Sequence, residues 1–156
     1  MYKIIASGFG SGYSRFAPGT AGSVVGILLF YGLHFSLHQA NFEVTTISTI
    51  SVILIIIVLF IGVQAIKKVH QIWEHDASKI VIDEIVGVWI AALFIPFEWT
   101  YYLYAFIIFR FFDILKPLWI KKIDDLSGDW SVMLDDVLAG IYSLIAMQVL
   151  LYWVNP

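Results

Sequence analysis

Seven ionisable residues stand inside or at the edges of strongly apolar stretches of this chain: Asp83 and Glu84, then Arg110, Asp113 and Lys116, then Asp135 and Asp136. Carboxylates offer oxygen ligands to a hard cation such as Mg²⁺, and Arg and Lys hold phosphate oxygens, so five acids with two bases suit a metal-plus-phosphate arrangement. Lys67, Lys68, Lys79, Lys121 and Lys122 can carry their amines to the surface on long stems. Carboxylates have short stems and cannot. An ionisable group at membrane depth is costly, turns to the interior of a bundle and marks a functional site. Both acid pairs open helices, where the macrodipole favours negative charge, so capping is the alternative for one residue of each pair. Helix neighbours point about 100° apart, which predicts one site-facing acid per pair. Glu84, on a face with Gly87 and Val88, and Asp136, on a face with Ala139 and Gly140, are the better placed. Arg110, Asp113 and Lys116 recur at i, i+3 and i+6, which also suits a plain ion-pair ladder.

A second chemical signal is the glycine- and hydroxyl-rich stretch 7–23, SGFGSGYSRFAPGTAGS, leading into a helix. Backbone amides there can cradle an anion, with Thr20 or Ser23 capping the helix. The spacing fits neither a Walker loop nor a dinucleotide fingerprint, and a close-packed bend is the structural alternative. The histidines show no paired metal-ligand spacing. His34 and His38 are expected at the outer interface, His70 and His75 inside, with His75-Asp76 organising the loop before the third helix.

The elements that must position these groups follow from composition. Of 156 residues, 60% are hydrophobic and 13% charged, where a soluble domain carries about a quarter charged. With a mean hydropathy of +0.87, the apolar residues cannot all fit one small core, so lipid is the second solvent. Disorder is excluded. The net charge of −3 comes without a basic patch interleaved with stacking platforms, so a nucleic-acid footprint is missing. Zero cysteines exclude disulfides, thiolate nucleophiles and zinc-thiolate sites. The first residues lack the long apolar stretch of a cleaved signal, so the mature chain is expected to begin near Met1. Residues 1–156, without linker or repeat, read as one all-α domain, a polytopic membrane helical bundle.

A spanning helix needs about 20 apolar residues. Residues 44–66 pass easily; 22–37 are short and glycine-bearing, and 80–97, 99–115 and 132–154 each carry charge. This predicts five hydrophobic helices, with four full spans and one shorter or re-entrant element as the competing count. All nine Lys and Arg then fall on one side, the cytoplasmic side by the positive-inside rule, and Trp99, Tyr101, Tyr102, Tyr152 and Trp153 fit an outer aromatic belt. Glu84 to Pro96 spans roughly 18 Å and Asp113 back to Trp99 roughly 21 Å, which puts the charged cluster just below the cytoplasmic headgroups. A water-borne phosphate and a lipid tail both reach such a place.

Taken in order, these segments resemble the phosphatidylglycerophosphatase A family over nearly the whole chain. Residues 7–23 resemble its glycine-rich opening with a PGTxGS end, and His75-Asp76 with residues 82–87, IDEIVG, its HD and DExxG block. FRFFDILKP at 109–117 resembles its FRxxDxxKP block, and residues 135–140 its DDxxAG ending. The chain departs from the family's glycine-rich run before the final acids, reading LSGDWSVM at 126–133. The resemblance implies a Mg²⁺-dependent phosphatase in a bacterial inner membrane, converting phosphatidylglycerophosphate to phosphatidylglycerol at the cytoplasmic face. Matched by position, Asp83, Glu84, Asp113, Asp135 and Asp136 are the catalytic candidates. Metal would fall to Asp83, Glu84, Asp113 and Asp136, and substrate phosphate to Thr20, Ser23, Arg110 and Lys116. The rival from another class is a small cation- or proton-coupled transporter, which would spread its acids through the membrane or repeat itself in inverted halves. A structural subunit with ion-paired helices is a third reading, and a headgroup transferase ranks lower. Oligomeric state is left open.

Overall fold

The most apolar run forms the longest helix. A computed structural model of the chain describes residues 1–71, 73, 77–117, 119–126 and 128–154, with backbone alone at 77 and 124. In chain order it comprises α1 (Tyr2–Ala6), a 3-10 segment (Gly8–Tyr13), α2 (Pro18–Gln39), α3 (Val44–His70), a short 3-10 turn (Ala77–Lys79), α4 (Ile82–Ala91), α5 (Trp99–Leu115), α6 (Trp119–Asp124) and α7 (Asp129–Val154). No strand occurs among the described residues, in keeping with an all-α bundle. His75-Asp76 lie outside the described residues.

Three helices, α2, α3 and α7, are long and apolar enough to cross a membrane. At about 1.5 Å per residue they measure roughly 33, 40 and 39 Å against a hydrocarbon core of about 30 Å. With 17 residues, α5 stands at the lower limit for a span. The first hydrophobic element, expected to be short, runs a full 22 residues because Pro18 starts it at a position where its missing N–H costs nothing. The short element is instead α4. The apolar stretch 80–97 is helical only over ten residues, about 15 Å, and a turn at 92–94, with Phe94 at φ 59°, leads into Pro96.

That short helix is the centre of the bundle. Every residue of α4 except Glu84 is buried. It packs between α2 and α7, and glycines set both spacings. A Cβ on Gly140 of α7 would stand 2.5 Å from the Gly87 carbonyl oxygen, and one on Gly87 2.7 Å from the Asp136 carbonyl oxygen, so α4 and α7 meet backbone to backbone. On the other side Trp89 Nε1 donates 2.7 Å to the Gly26 carbonyl of α2. The large side chains Phe30, Ile66, Ile85, Tyr102, Phe109, Met133 and Met147 fill the interior, while Ile53, Ile56, Ile57, Phe60 and Ile61 of α3 face outward as a lipid-contacting surface does.

At the end of the bundle reached by the C-terminus of α2, two expectations are corrected. His34 and Tyr102 are buried core residues rather than interfacial ones. His34 Nδ1 lies 2.5 Å from the Tyr102 hydroxyl and Nε2 2.9 Å from Ser51 Oγ, whose own hydroxyl donates to the Ile47 carbonyl at 2.8 Å. Because the Ser51 proton is committed, Nε2–H donates to Ser51 and Tyr102 O–H donates to Nδ1. This chain ties α2, α3 and α5 together, and its polar groups outweigh the interfacial pull that sequence position suggested. Trp99, Tyr152 and Trp153 remain exposed.

Candidate active site

The opposite end of the bundle gathers the charges. The first turn of α4 carries Asp83 and Glu84, and α7 brings Asp136 against them through the Gly87–Gly140 contact. One carboxylate oxygen of each of the three lies within 4.8 Å of the others. Asp83 is 6% exposed and Asp136 4% exposed, so water screens little of their mutual repulsion. Asp83 Oδ1 also accepts the Glu84 backbone N–H at 3.2 Å, and the Asp113 side chain of α5 comes within hydrogen-bond reach of Asp136.

The bases organise the rim. Arg110 Nη1 forms an ion pair with Asp113 Oδ2 and donates to Ser23 Oγ at 3.3 Å, and Ser23 donates onward to the Gly19 carbonyl at 2.8 Å. The first turn of α2 sits directly on this group: a Cβ on Gly19 would collide with Glu84 Oε1 and stand 3.4 Å from Arg110 Nη1. Two buried polar atoms, Glu84 Oε2 and Arg110 Nε, have no hydrogen-bond partner among the described residues. A buried carboxylate oxygen and a buried guanidinium N–H without partners are each costly, and together they fit a site completed by a cation and an anion. Three close carboxylates match the all-oxygen donor set of Mg²⁺.

Several expectations change at this level. Asp83 and Glu84 both enter the acid group, so the one-acid-per-pair rule fails for the first pair. At the second pair Asp136 joins the acids and Asp135 does not; Asp135 Oδ2 accepts Lys116 Nζ at 2.7 Å. The i, i+3, i+6 ladder is broken for the same reason: α5 ends at Leu115, Lys116 takes φ 44°, and its side chain turns to α7. Neither Thr20 nor Ser23 caps α2. The cap position is Ala17, in the left-handed region with no side-chain cap bond; Thr20 is half-buried in the first turn and Ser23 is fully buried one turn on. The stretch 8–13 is a packed 3-10 bend, with a Cβ on Gly12 excluded by the Lys79 carbonyl.

Two ties had no sequence signal, because their partners lie far apart in the chain. One is the His34–Tyr102 bond. The other is His70 Nδ1 to Asp129 Oδ1 at 2.6 Å, which joins the end of α3 to the start of α7 within the departing 126–133 segment; Ser127 lies outside the described residues.

A family model described as phosphatidylglycerophosphatase A matches residues 4–151. The chain belongs to the phosphatidylglycerophosphatase A family. Among its relatives, one from Bacteroides thetaiotaomicron named putative phosphatidylinositol-3-phosphatase is 42% identical, covering 94% of this chain and 91% of that protein. Phosphatidylglycerophosphatase A of Haemophilus influenzae is 39% identical over 96% and 88% of the two chains, and that of Escherichia coli 33% over 91% and 78%. No solved structure matches. Within this phosphatidylglycerophosphatase A family member, the segments that carry the resemblance meet in space: Gly19 and Ser23, Asp83 and Glu84, Arg110 and Asp113, and Asp136.

Proposed function

We propose that this chain is a membrane phosphatase that hydrolyses phosphatidylglycerophosphate to phosphatidylglycerol and inorganic phosphate, using Mg²⁺, at the cytoplasmic face of a bacterial inner membrane. The observation that carries this reading is the buried Asp83–Glu84–Asp136 group set against Arg110 and the first turn of α2. The family and the names of the Haemophilus and Escherichia relatives supply the substrate.

Asp83, Glu84 and Asp136 would hold the metal, with Asp113 alongside. Bound there, Mg²⁺ would neutralise phosphate charge and acidify a water. Arg110, fixed by Asp113 and Ser23, would donate to a phosphate oxygen, with the first turn of α2 packed beside it. Lys116 and Asp135 form an ion pair at the edge of the site. The attacking group is a water oriented by a carboxylate, or an aspartate itself. A single turnover of ³²P-labelled substrate quenched in acid separates the two: ³²P held on the protein and released by hydroxylamine reports an aspartyl phosphate, and ³²P found only as inorganic phosphate supports water attack.

The phosphoinositide named for the Bacteroides relative favours a second substrate of the same chemistry, a phosphomonoester on a different lipid polyol. The test is phosphate release by the purified chain from phosphatidylglycerophosphate and from phosphatidylinositol 3-phosphate in mixed micelles, with Mg²⁺ and with excess chelator. Release from the first substrate, lost with chelator and in Asp136→Asn and Asp113→Asn, is expected. Loss of a ligand should exceed the ~10–100-fold cost of removing a residue that only orients a ligand. Preference for the inositol lipid would replace the substrate, and no release from either by folded protein would overturn the reading.

A further inference from the structure

The C-terminal part of α3 seats the starts of both acid-bearing helices. A Cβ on its Gly62 would stand 2.6 Å from Met133 Cε of α7 and 3.2 Å from Ile82 Cγ1 of α4. Met133 precedes Asp136 by one helical turn, and Ile82 is the neighbour of Asp83. About 12 Å further along α3 the two helices close on one another again. His70, the last residue of α3, meets Asp129, the first of α7, with Nδ1 2.6 Å from Oδ1. A carboxylate only accepts, so Nδ1 carries the proton and donates. The two side chains are 31% and 30% exposed, which leaves the bond partly shielded from water.

Asp136 lies between two fixed points of α7. Asp129 stands seven residues before it, about 10 Å, and Gly140 four after it, about 6 Å. Seven residues turn a helix through about 700°, so Asp129 and Asp136 share a face to within about 20°. A twist at the start of α7 is therefore passed on to Asp136. At a side-chain radius of about 5 Å, a twist of about 20° moves a carboxylate by about 2 Å. The carboxylate oxygens of Asp83, Glu84 and Asp136 lie within 4.8 Å of one another, so a shift of that size disperses the group.

We propose that His70 is a positioning residue: through Asp129 it fixes the rotation of the α7 start and so holds Asp136 against Asp83 and Glu84. It acts through the helix and not at the reacting atoms. This role rests on the phosphatase reading.

Amide hydrogen exchange of the full chain in detergent, read by mass spectrometry beside phosphate release from phosphatidylglycerophosphate at varied Mg²⁺, tests it. His70→Phe keeps a ring and removes the donor. It should speed exchange over 129–136 by about tenfold and leave 141–147 unchanged. kcat should fall by about tenfold with KM for the lipid unchanged, and the Mg²⁺ concentration for half-maximal rate should rise severalfold. Asp129→Ala should match it, and the double variant should be no worse than either single one. His70→Asn, whose amide N–H reaches the place of Nδ1–H, should restore most of the rate. A contact that only stabilises the fold lowers the unfolding temperature and leaves kcat and the Mg²⁺ requirement as they are. Unchanged exchange in His70→Phe, an unchanged kcat and Mg²⁺ requirement, or losses that multiply in the double variant would each overturn the role while the parent chain still releases phosphate. A parent chain that releases none overturns the phosphatase reading, and this role with it.

Discussion

Arg110 is the residue on which the acid site turns, because Asp113 and Ser23 hold it from two helices while its Nε–H has no hydrogen-bond partner among the described residues. Ser23→Ala should leave the fold intact and loosen Arg110, lowering kcat/KM for phosphate release by about tenfold, roughly 1.4 kcal/mol. Arg110→Gln with Asp113→Asn separates the structural from the chemical reading. A purely structural ion pair predicts a tolerated double change, whereas the phosphatase reading predicts folded protein with no measurable turnover. The residue types at this scale were readable in sequence, since acids within apolar stretches have few other uses. Their partners were not. Whether Asp135 or Asp136 faces the acids depends on the helix rotation that the Gly87–Gly140 contact imposes, and Lys116 left its ladder because α5 stops one residue short of it.

Among elements, α4 decides the geometry, and the two glycines that let it touch α7 are the sensitive points. Gly87→Ala and Gly140→Ala each place a Cβ against backbone, where overpacking costs about 1–3 kcal/mol, and each should separate Asp136 from Glu84 and reduce phosphate release. Gly32→Ala meets open space and should leave activity unchanged, with helix stability raised by up to about 1 kcal/mol; thermal unfolding in detergent beside the phosphate assay reads both effects. The sequence pattern located α5 residue for residue and α3 and α7 to within a few positions, because a long apolar run forces a helix in lipid. It overran α4. Hydropathy alone cannot distinguish an apolar helix from an apolar turn, and Phe94 and Pro96 end the helix within a stretch that stays hydrophobic throughout.

For the molecule as a whole, contacts bring the start of α2, the end of α3, the start of α4, the end of α5 and the start of α7 to one end. The nine basic residues lie on those ends, in the segments joined to them, or on α1 and α6, so the orientation is testable in a chain with no cysteine of its own. Ser14→Cys should resist a membrane-impermeant thiol reagent in intact cells and react after permeabilisation, and Glu43→Cys should react in intact cells; the reverse pattern would invert the proposed topology. The burial of α4 also dictates an order of assembly during synthesis. Ten residues with two acids in the first turn are too short and too polar to settle in lipid alone, and the surface that covers them belongs partly to α7, which is made after α4. Until α7 leaves the ribosome, Asp83 and Glu84 lack Asp136 and the protein wall on that side. The site is therefore completed only when α7 has packed against α4.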